Sequence, residues 1–184
     1  MNTYVISQIF TILMYLFLAV SYLTKKRKSI LIISTISIIL NALAYVFLEA
    51  WTGLAVCGIA LARNIYSYWD FVKHGDQKNH SPRDIAVLII AFAAFIAVAI
   101  PTYDGFLSLM SVFGAALYTY SIWQKSPMAY KLLGIPTCIL WIVYNAFVHS
   151  FFGVVLEFVL LVASVYGYIK ALKSSKKKVS RRKK

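Results

Sequence analysis

The sequence predicts an all-α membrane protein with seven transmembrane helices, its N-terminus outside the cell and its C-terminus in the cytoplasm. Three observations predict this fold class: the composition, the lengths of the apolar segments and a one-sided distribution of basic residues. The chain of 184 residues is 61% hydrophobic and only 14% charged, whereas soluble domains carry roughly a quarter charged residues. We therefore expect the chain to lie in a lipid bilayer.

Seven apolar segments are long enough to span a bilayer. A helix crosses the ~30 Å hydrocarbon core with ~20 residues, and ~17 is the lower limit. Short turns, such as Glu49-Ala50-Trp51 after the second segment, separate neighbouring spans. The predicted spans are residues 4–23, 30–48, 52–72, 85–101, 106–123, 131–149 and 153–170.

The basic residues lie on one face of these spans. The chain has 19 Lys and Arg against 6 Asp and Glu, a net charge of +13. All but one of the 19 lie in or beside the segments that follow spans one, three, five and seven, and the exception is Arg63. Because cytoplasmic loops are enriched in Lys and Arg, this predicts a cytoplasmic C-terminus. Basic residues interleaved with groove-reading polar groups are absent, so the charge does not indicate a nucleic-acid partner.

The C-terminal tail, residues 171–184, is strongly basic. We expect its lysines and arginines to rest on anionic lipid headgroups, where each charge contributes about 1 kcal/mol near the surface. A tail that binds a protein partner is the alternative. The sequence also leaves a homo-oligomer open.

The chain contains an internal repeat with an offset of 100 residues. Span boundaries coincide at this offset without a gap, and so do several polar and aromatic residues. The coinciding pairs include Ser21 with Ser121, Lys25 with Lys125, Tyr66 with Tyr166 and Tyr68 with Tyr168. An offset of 104 would instead pair Asn41 with Asn145, which leaves the register inside span two open.

Span four separates the two copies of the repeat. Two copies of three spans would normally have opposite orientations in the membrane, and one extra span turns the second copy parallel to the first. Span four is rich in alanine and lacks a polar group in its core, as expected of a linker helix. The predicted units are a first three-helix repeat over 1–72, a loop and linker helix over 73–103, a second three-helix repeat over 104–170 and the tail. Parallel repeats are related by an axis along the membrane normal.

Three segments carry a resemblance to a known family. They are LARNIYSYW at 61–69, LSLMSVFGAALYTYSIWQKSP at 107–127, and CILWIVYNAFVHSFFGVVLEFVLLVASVYGYIK at 138–170. With these segments the chain resembles the YgjV family of bacterial inner-membrane proteins. That family is similar in architecture to SWEET, SemiSWEET, PQ-loop and PnuC proteins, which pass sugars, amino acids or vitamin precursors between two three-helix bundles. The resemblance implies a SWEET-like 3+1+3 fold in the inner membrane and transport of a small solute.

Polar and aromatic residues near mid-depth form the predicted substrate site. Depth is counted along each span at about 1.5 Å per residue. The predicted substrate-binding residues are Asn41, Tyr45, Arg63, Asn64, Trp141, Asn145 and Ser164. The resemblance adds that SWEET-type proteins place an asparagine on the third helix of each repeat; Asn64 matches the first, and Ser164 stands in place of the second. A single Asn or Ser here is typically an interhelical hydrogen bond worth ~0.6 kcal/mol, so the prediction rests on their convergence.

Arg63 is the one basic residue in the interior of a span, away from its ends. A charge at the bilayer centre costs at least ~2.5–3.5 kcal/mol and faces the bundle interior or a cavity. Three roles are open: an ion pair with Glu157 on span seven, directly or through water; direct contact with the substrate; and snorkelling toward the cytoplasmic headgroups. Asp70, seven residues along the same helix, lies about 10 Å nearer the cytoplasm.

Three further residues are gating candidates. Glu49 and His149 coincide at the offset of 100 and lie at the external mouth, where a titrating pair could gate transport or couple it to protons. Two interfacial residues in water are the alternative. Pro136 interrupts span six and is a candidate hinge of the kind that SWEET-type proteins use, although Ile36 stands at the corresponding position of the first repeat.

The sequence lacks the motifs of the common enzyme classes. It has no H-E-x-x-H, no G-x-S-x-G and no glycine-rich phosphate loop, and no Cys or His cluster has the spacing of a metal site. We expect no enzymatic activity, no metal and no cofactor. The predicted function is transport of a small polar or anionic solute by alternating access. A non-transporting membrane scaffold or sensor is the alternative.

Overall fold

The structure is a computed structural model that describes residues 3–75, 79–101, 106–147 and 149–182, without the side chains of 52, 106–109, 111 and 176–182. Every regular element in these ranges is an α-helix, so the predicted all-α class is confirmed. The helices are α1 (Thr3–Leu23), α2 (Arg27–Phe47), α3 (Trp51–His74), α4 (Pro82–Ala99), α5 (Phe106–Trp123), α6 (Pro127–Phe147) and α7 (Phe151–Arg182).

Five of the seven helices are long and apolar enough to cross a membrane: α1, α2, α4, α6 and the part of α7 up to Ser175. Helix α3 is not among them, and it carries Arg63 and Asn64 in its middle. Helix α5 is not among them either, and the side chains of its first turn lie outside the described residues. The prediction of a multi-span membrane protein is confirmed by length and composition for five helices, and spans three and five remain predictions.

Several helix boundaries differ from those predicted. Helix α6 begins at Pro127 rather than at 131, because proline is well suited to the first position of a helix, where its missing N–H has no partner to lose. Lys131 therefore lies in the first turns of α6 and is only 2% exposed. Helix α2 likewise begins at Arg27 rather than at 30. Helix α7 continues to Arg182 instead of ending at 170, since Lys and Arg are good helix formers.

Six helices form a closed ring. Each helix of the ring packs against the next, in the order α1, α2, α3, α5, α6 and α7, and α7 packs against α1 to close the ring. Helix α4 packs against α3 and α5, where its Ala91 and Phe95 are buried. The predicted linker helix therefore lies against one helix from each half of the chain.

The turn after α2 recurs after α6. Four of its backbone hydrogen bonds reappear with donor and acceptor both 100 residues later. The first set is Glu49 to Val46, Ala50 to Tyr45, Trp51 to Glu49 and Leu54 to Ala50; the second is His149 to Ala146, Ser150 to Asn145, Phe151 to His149 and Val154 to Ser150. Glu49 and His149 also share a left-handed backbone, with φ of 54° and 56°. The repeated geometry favours the offset of 100 over that of 104.

One end of the ring is tightly packed. This is the end that holds the α1–α2, α3–α4 and α5–α6 connections, called the basic end below. Tyr22 and Tyr130 stack there with ring centroids 5.0 Å apart, and the Tyr130 hydroxyl lies 2.7 Å from Ser21 Oγ. These residues belong to a buried cluster of Tyr22, Ile30, Leu31, Ile122, Tyr130, Cys138 and Leu160. The cluster fills the part of the ring interior that lies toward the basic end.

Candidate functional site

A cavity of about 290 Å³ lies inside the ring, and all seven helices contribute to its wall. At ~30 Å³ per water molecule, this is room for about ten waters or one small solute. Of the predicted substrate-binding residues, Asn41, Tyr45, Arg63 and Trp141 line the cavity, and the ion-pair candidate Glu157 does so too. The structure therefore brings five of the candidates together around one space.

Arg63 is 4% exposed and is held by two helices. Its Nε and Nη2 atoms donate to Oδ1 of Asn64 at 3.2 and 2.8 Å, and Nη1 donates to Oγ1 of Thr119 on α5 at 2.6 Å. The guanidinium carbon also lies 5.4 Å from the centroid of the Tyr118 ring, within cation–π range. These contacts keep the guanidinium at the cavity wall instead of at the basic end, which argues against the snorkelling role.

Asn64 lies behind Arg63 and not at the cavity wall. It is fully buried, and its Nδ2 atom donates to Ser34 Oγ at 3.1 Å and to Thr35 Oγ1 at 3.3 Å on α2. Its carbonyl oxygen accepts both hydrogen bonds from Arg63. The Asn64 side chain thus positions the guanidinium, and both its oxygen and its nitrogen have hydrogen-bond partners within the protein.

Glu157 on α7 has a different partner from Arg63, which the sequence suggested. Its Oε1 atom accepts a hydrogen bond of 3.0 Å from the Tyr15 hydroxyl. Among the described residues, which include both groups, Arg63 and Glu157 form no ion pair within 4.0 Å. Because both groups line the cavity, a water molecule or a solute between them would be needed to bridge them.

The other two predicted binding residues lie outside the cavity wall. Ser164 is fully buried, and its hydroxyl donates to the carbonyl oxygen of Lys131 at 2.6 Å. This bond joins α7 to α6 and leaves no open face toward the cavity. Asn145 sits at the end of α6, where its amide oxygen packs against Gly153.

The gating candidates lie at the surface. Glu49 and His149 are exposed turn residues at the end of the ring opposite the basic end. Pro136 is exposed on α6, which continues through it to Phe147. Their gating and hinge roles remain predictions.

Several wall residues were not singled out from the sequence. Tyr15, Tyr118 and Thr119 line the cavity, and all three contact a charged group described above. Tyr15, Leu18 and Tyr22 recur at helical spacing on one face of α1, a signal that equally describes a packed core. Thr119 carried no signal at all, since a lone threonine in an apolar span is unremarkable.

An ion-pair cluster closes the basic end between α3, α4 and α5. The Lys125 Nζ atom lies 2.9 Å from Asp70 Oδ2 and 2.7 Å from Asp84 Oδ2, and His74 Nδ1 lies 2.9 Å from Asp70 Oδ1. Burial lowers the pKa of Lys125, but hydrogen bonds and charge attraction from both carboxylates outweigh burial, so its pKa lies above the ordinary lysine value. We call Asp70, His74, Asp84 and Lys125 the Lys125 cluster.

Asp84 also starts helix α4. Its backbone N–H donates to Ser81 Oγ, and its side chain accepts from the Ser81 N–H, which together form a capping box. The Trp123 indole donates to the Asp84 carbonyl at 3.0 Å. The Lys125 cluster is therefore built on a fixed helix start and joins the two halves of the chain.

The seven described helices, five of them long and apolar enough to cross a membrane, define the class of the protein: an all-helical, multi-pass membrane protein. The chain belongs to the Imp-YgjV family of bacterial inner membrane proteins, whose family profile matches residues 5–175. It is accordingly a protein of the bacterial inner membrane. The family resemblance predicted from the sequence is confirmed, while the wider relation to SWEET and PQ-loop proteins remains a prediction.

No curated protein matches the chain, and no solved structure does. In the described part of the chain, no group of three or more His, Cys, Asp or Glu residues is placed to hold a metal ion.

Proposed function

We propose that the protein carries a small polar or anionic solute across the inner membrane by alternating access. The observation that carries this proposal is a cavity enclosed by membrane helices whose wall includes the buried Arg63 and Glu157. Ionisable groups inside a membrane are costly and mark solute or ion pathways by default. The volume of the cavity lies near the lower end of the ~300–1,000 Å³ range of small-molecule sites, which suits a compact solute.

The proposed architecture is two parallel three-helix repeats, α1–α3 and α5–α7, with α4 as the linker. The repeated turn after α2 and α6 supports this plan. The two repeats meet at two seams, one between α1 and α7 and one between α3 and α5. The seams also correspond, because the offset of 100 maps the contact of α1 with α7 onto that of α5 with α3. This pattern is expected for two copies related by an axis along the membrane normal, as in SWEET-type transporters.

The positive-inside rule places the basic end in the cytoplasm. In this orientation the cavity reaches toward the outside, since its wall extends to Thr11 and Tyr45. The stacked Tyr22 and Tyr130 and the Lys125 cluster then close the cytoplasmic side. We assign the described conformation to an outward-facing state on this basis, and transport then requires a second state in which the basic end opens.

A thermal-shift screen of the purified protein against sugars, amino acids, nucleosides and vitamin precursors tests the proposal. A ligand at 100 times its Kd stabilises the folded protein by ~2.7 kcal/mol. A solute found in this way should enter liposomes that contain the protein, and Arg63→Gln should reduce both effects. Lys25→Gln, at an exposed position, is the control and should reduce neither. Absence of both stabilisation and uptake would favour the scaffold or sensor.

A further inference from the structure

Arg63 keeps two hydrogen-bond donors for a ligand. A guanidinium has five N–H donors and no acceptor. Three of them bond to Asn64 and Thr119. Among the described residues, the remaining two, one on each terminal nitrogen, have no acceptor. N–H groups on both terminal nitrogens are thus free to donate to the oxygens of a carboxylate.

Glu157 keeps acceptor capacity for a ligand. An ionised carboxylate offers about four lone-pair sites, and the Tyr15 hydroxyl occupies one of them. Glu157 is 6% exposed and lines the same cavity as Arg63. The site thus presents free donors at one point of its wall and free acceptors at another.

The charges of the wall balance. Arg63 and Glu157 are the only charged residues in the wall that the structure describes. Because they do not pair directly, a solute with a single charge would match one of them and leave the other buried without a counter-charge, which is strongly unfavourable. A solute with one charge of each sign matches both.

The rest of the wall is largely aromatic and apolar. Tyr15, Tyr45, Tyr118 and Trp141 contribute ring surface, and Leu18, Ile38 and Phe95 add aliphatic and aromatic surface. An apolar or aromatic body between the two charged groups of the solute would pack against these side chains.

We infer that the solute is a small zwitterion, with a carboxylate bound by Arg63, an ammonium group bound by Glu157 and an apolar or aromatic body between them. This inference rests on the proposed function and specifies the substrate class of the same site. Register along the repeat places Glu157 about 9 Å nearer the outside than Arg63, at 1.5 Å per residue. The solute would therefore lie along the pore axis with its ammonium group outward.

Binding of matched probes to the purified protein tests the inference. One set is 4-(aminomethyl)benzoate with its single-charge analogues 4-methylbenzoate and benzylamine. The second set is L-phenylalanine with 3-phenylpropanoate and phenethylamine, and the remaining protein amino acids complete the panel. We expect at least one zwitterion to raise the Tm and to bind about ten- to a hundredfold more tightly than either analogue, the factor expected for one hydrogen bond to a charged group.

Variants assign the two charges. Glu157→Gln should remove the preference for the zwitterion over its carboxylate-only analogue. Arg63→Lys keeps the charge but replaces the guanidinium donors with a single ammonium group, and should weaken every carboxylate probe about tenfold or more. Equal binding of a zwitterion and its analogues, or binding of no panel member, would overturn the inference. Uptake of a neutral sugar or nucleoside with no zwitterion bound would overturn it and leave the proposed transport function standing, whereas no solute bound or transported would remove both.

Discussion

Nη1 of Arg63 on α3 donates a 2.6 Å hydrogen bond to Oγ1 of Thr119 on α5. The bond joins the two halves of the chain at the one seam where α3 meets α5. Thr119 is fully buried, so Thr119→Val should leave a guanidinium N–H without its acceptor. Losing a hydrogen bond to a charged group costs about 1.5–3 kcal/mol, and thermal or denaturant unfolding in detergent measures it.

Thr24→Val provides the control for that measurement. The Thr24 hydroxyl donates to the Val20 carbonyl at the helix surface, so its loss should change the unfolding free energy by less than about 0.5 kcal/mol. Equal effects of the two valine substitutions would mean that the bond between α3 and α5 contributes nothing.

The seam between α1 and α7 depends on a glycine. A Cβ atom at Gly167 would collide with the carbonyl oxygen of Tyr22, a backbone atom that cannot rotate away. Gly167→Ala should therefore push α7 from α1 and cost about 1–3 kcal/mol of unfolding free energy. Gly58→Ala is the matched control, since nothing lies within 4 Å of a Cβ there, and it should stabilise α3 by about 0.5–1 kcal/mol. A stabilising Gly167→Ala would show that the two helices are not in close contact.

The Lys125 cluster should stabilise the closed basic end. Lys125 is 8% exposed and contacts two carboxylates, so Lys125→Gln leaves Asp70 and Asp84 close together without a cation between them. We expect a loss of about 1–3 kcal/mol, between an exposed pair at up to ~1 kcal/mol and a fully buried one at ~3–5 kcal/mol. Lys25→Gln, the exposed repeat counterpart, should change the Tm little. Comparable losses in both variants would refute a specific role for the cluster.

Acid should weaken the basic end through His80. Its ring stacks on Trp123 with centroids 3.5 Å apart, and its Nδ1 atom is buried without a hydrogen-bond partner among the described residues. Burial and the nearby Lys125 and Arg27 lower the pKa of His80, against the opposite pull of Asp84 and Asp70. The unfolded chain, with a histidine pKa of about 6.5, then takes up the proton first. The stability that neutral His80 contributes is therefore fully present above the unfolded pKa of about 6.5 and is lost as the pH falls through the folded pKa.

His80→Phe tests this pH dependence, because phenylalanine keeps the stack on Trp123 and cannot be protonated. The Tm of the unaltered protein should fall more between pH 8 and pH 5 than that of the variant. The Lys125 pairs do not confound the comparison: the pKa of Lys125 is raised, so their contribution is lost only as the pH rises beyond the ordinary lysine value of about 10.4. Parallel curves for both proteins would exclude His80 as the titrating group.

The sequence was sufficient for the features that depend on helix length and periodicity. The all-α class, the offset of 100 and the burial of Arg63 follow from apolar spans and from the cost of charge inside a membrane. Depth along a span also located Asn41 and Trp141, which line the cavity. These properties are local to one helix and need no knowledge of its neighbours.

The features that depend on which helices touch were not predictable. Depth left an ion pair with Glu157 open as one of three roles for Arg63, but rotation of α3 turns the guanidinium toward Thr119 on α5, and rotation of α1 brings Tyr15 to Glu157. Ser164 shows the same limit, because its depth fitted the site while its direction points to α6. Helix rotation in a uniformly apolar chain leaves almost no trace in the sequence.

Two-sided labelling of Cys57 tests the central claim most directly, because it requires no knowledge of the solute. Cys57 is 4% exposed and lines the cavity, and Cys138→Ser leaves it as the sole cysteine. The measurement is modification of this variant by a membrane-impermeant sulfonated methanethiosulfonate, in right-side-out and in inside-out membrane vesicles, with the Cys57→Ser/Cys138→Ser protein for background. Alternating access predicts modification of Cys57 from both sides, faster from the outside. Modification from one side only, or from neither, would contradict it.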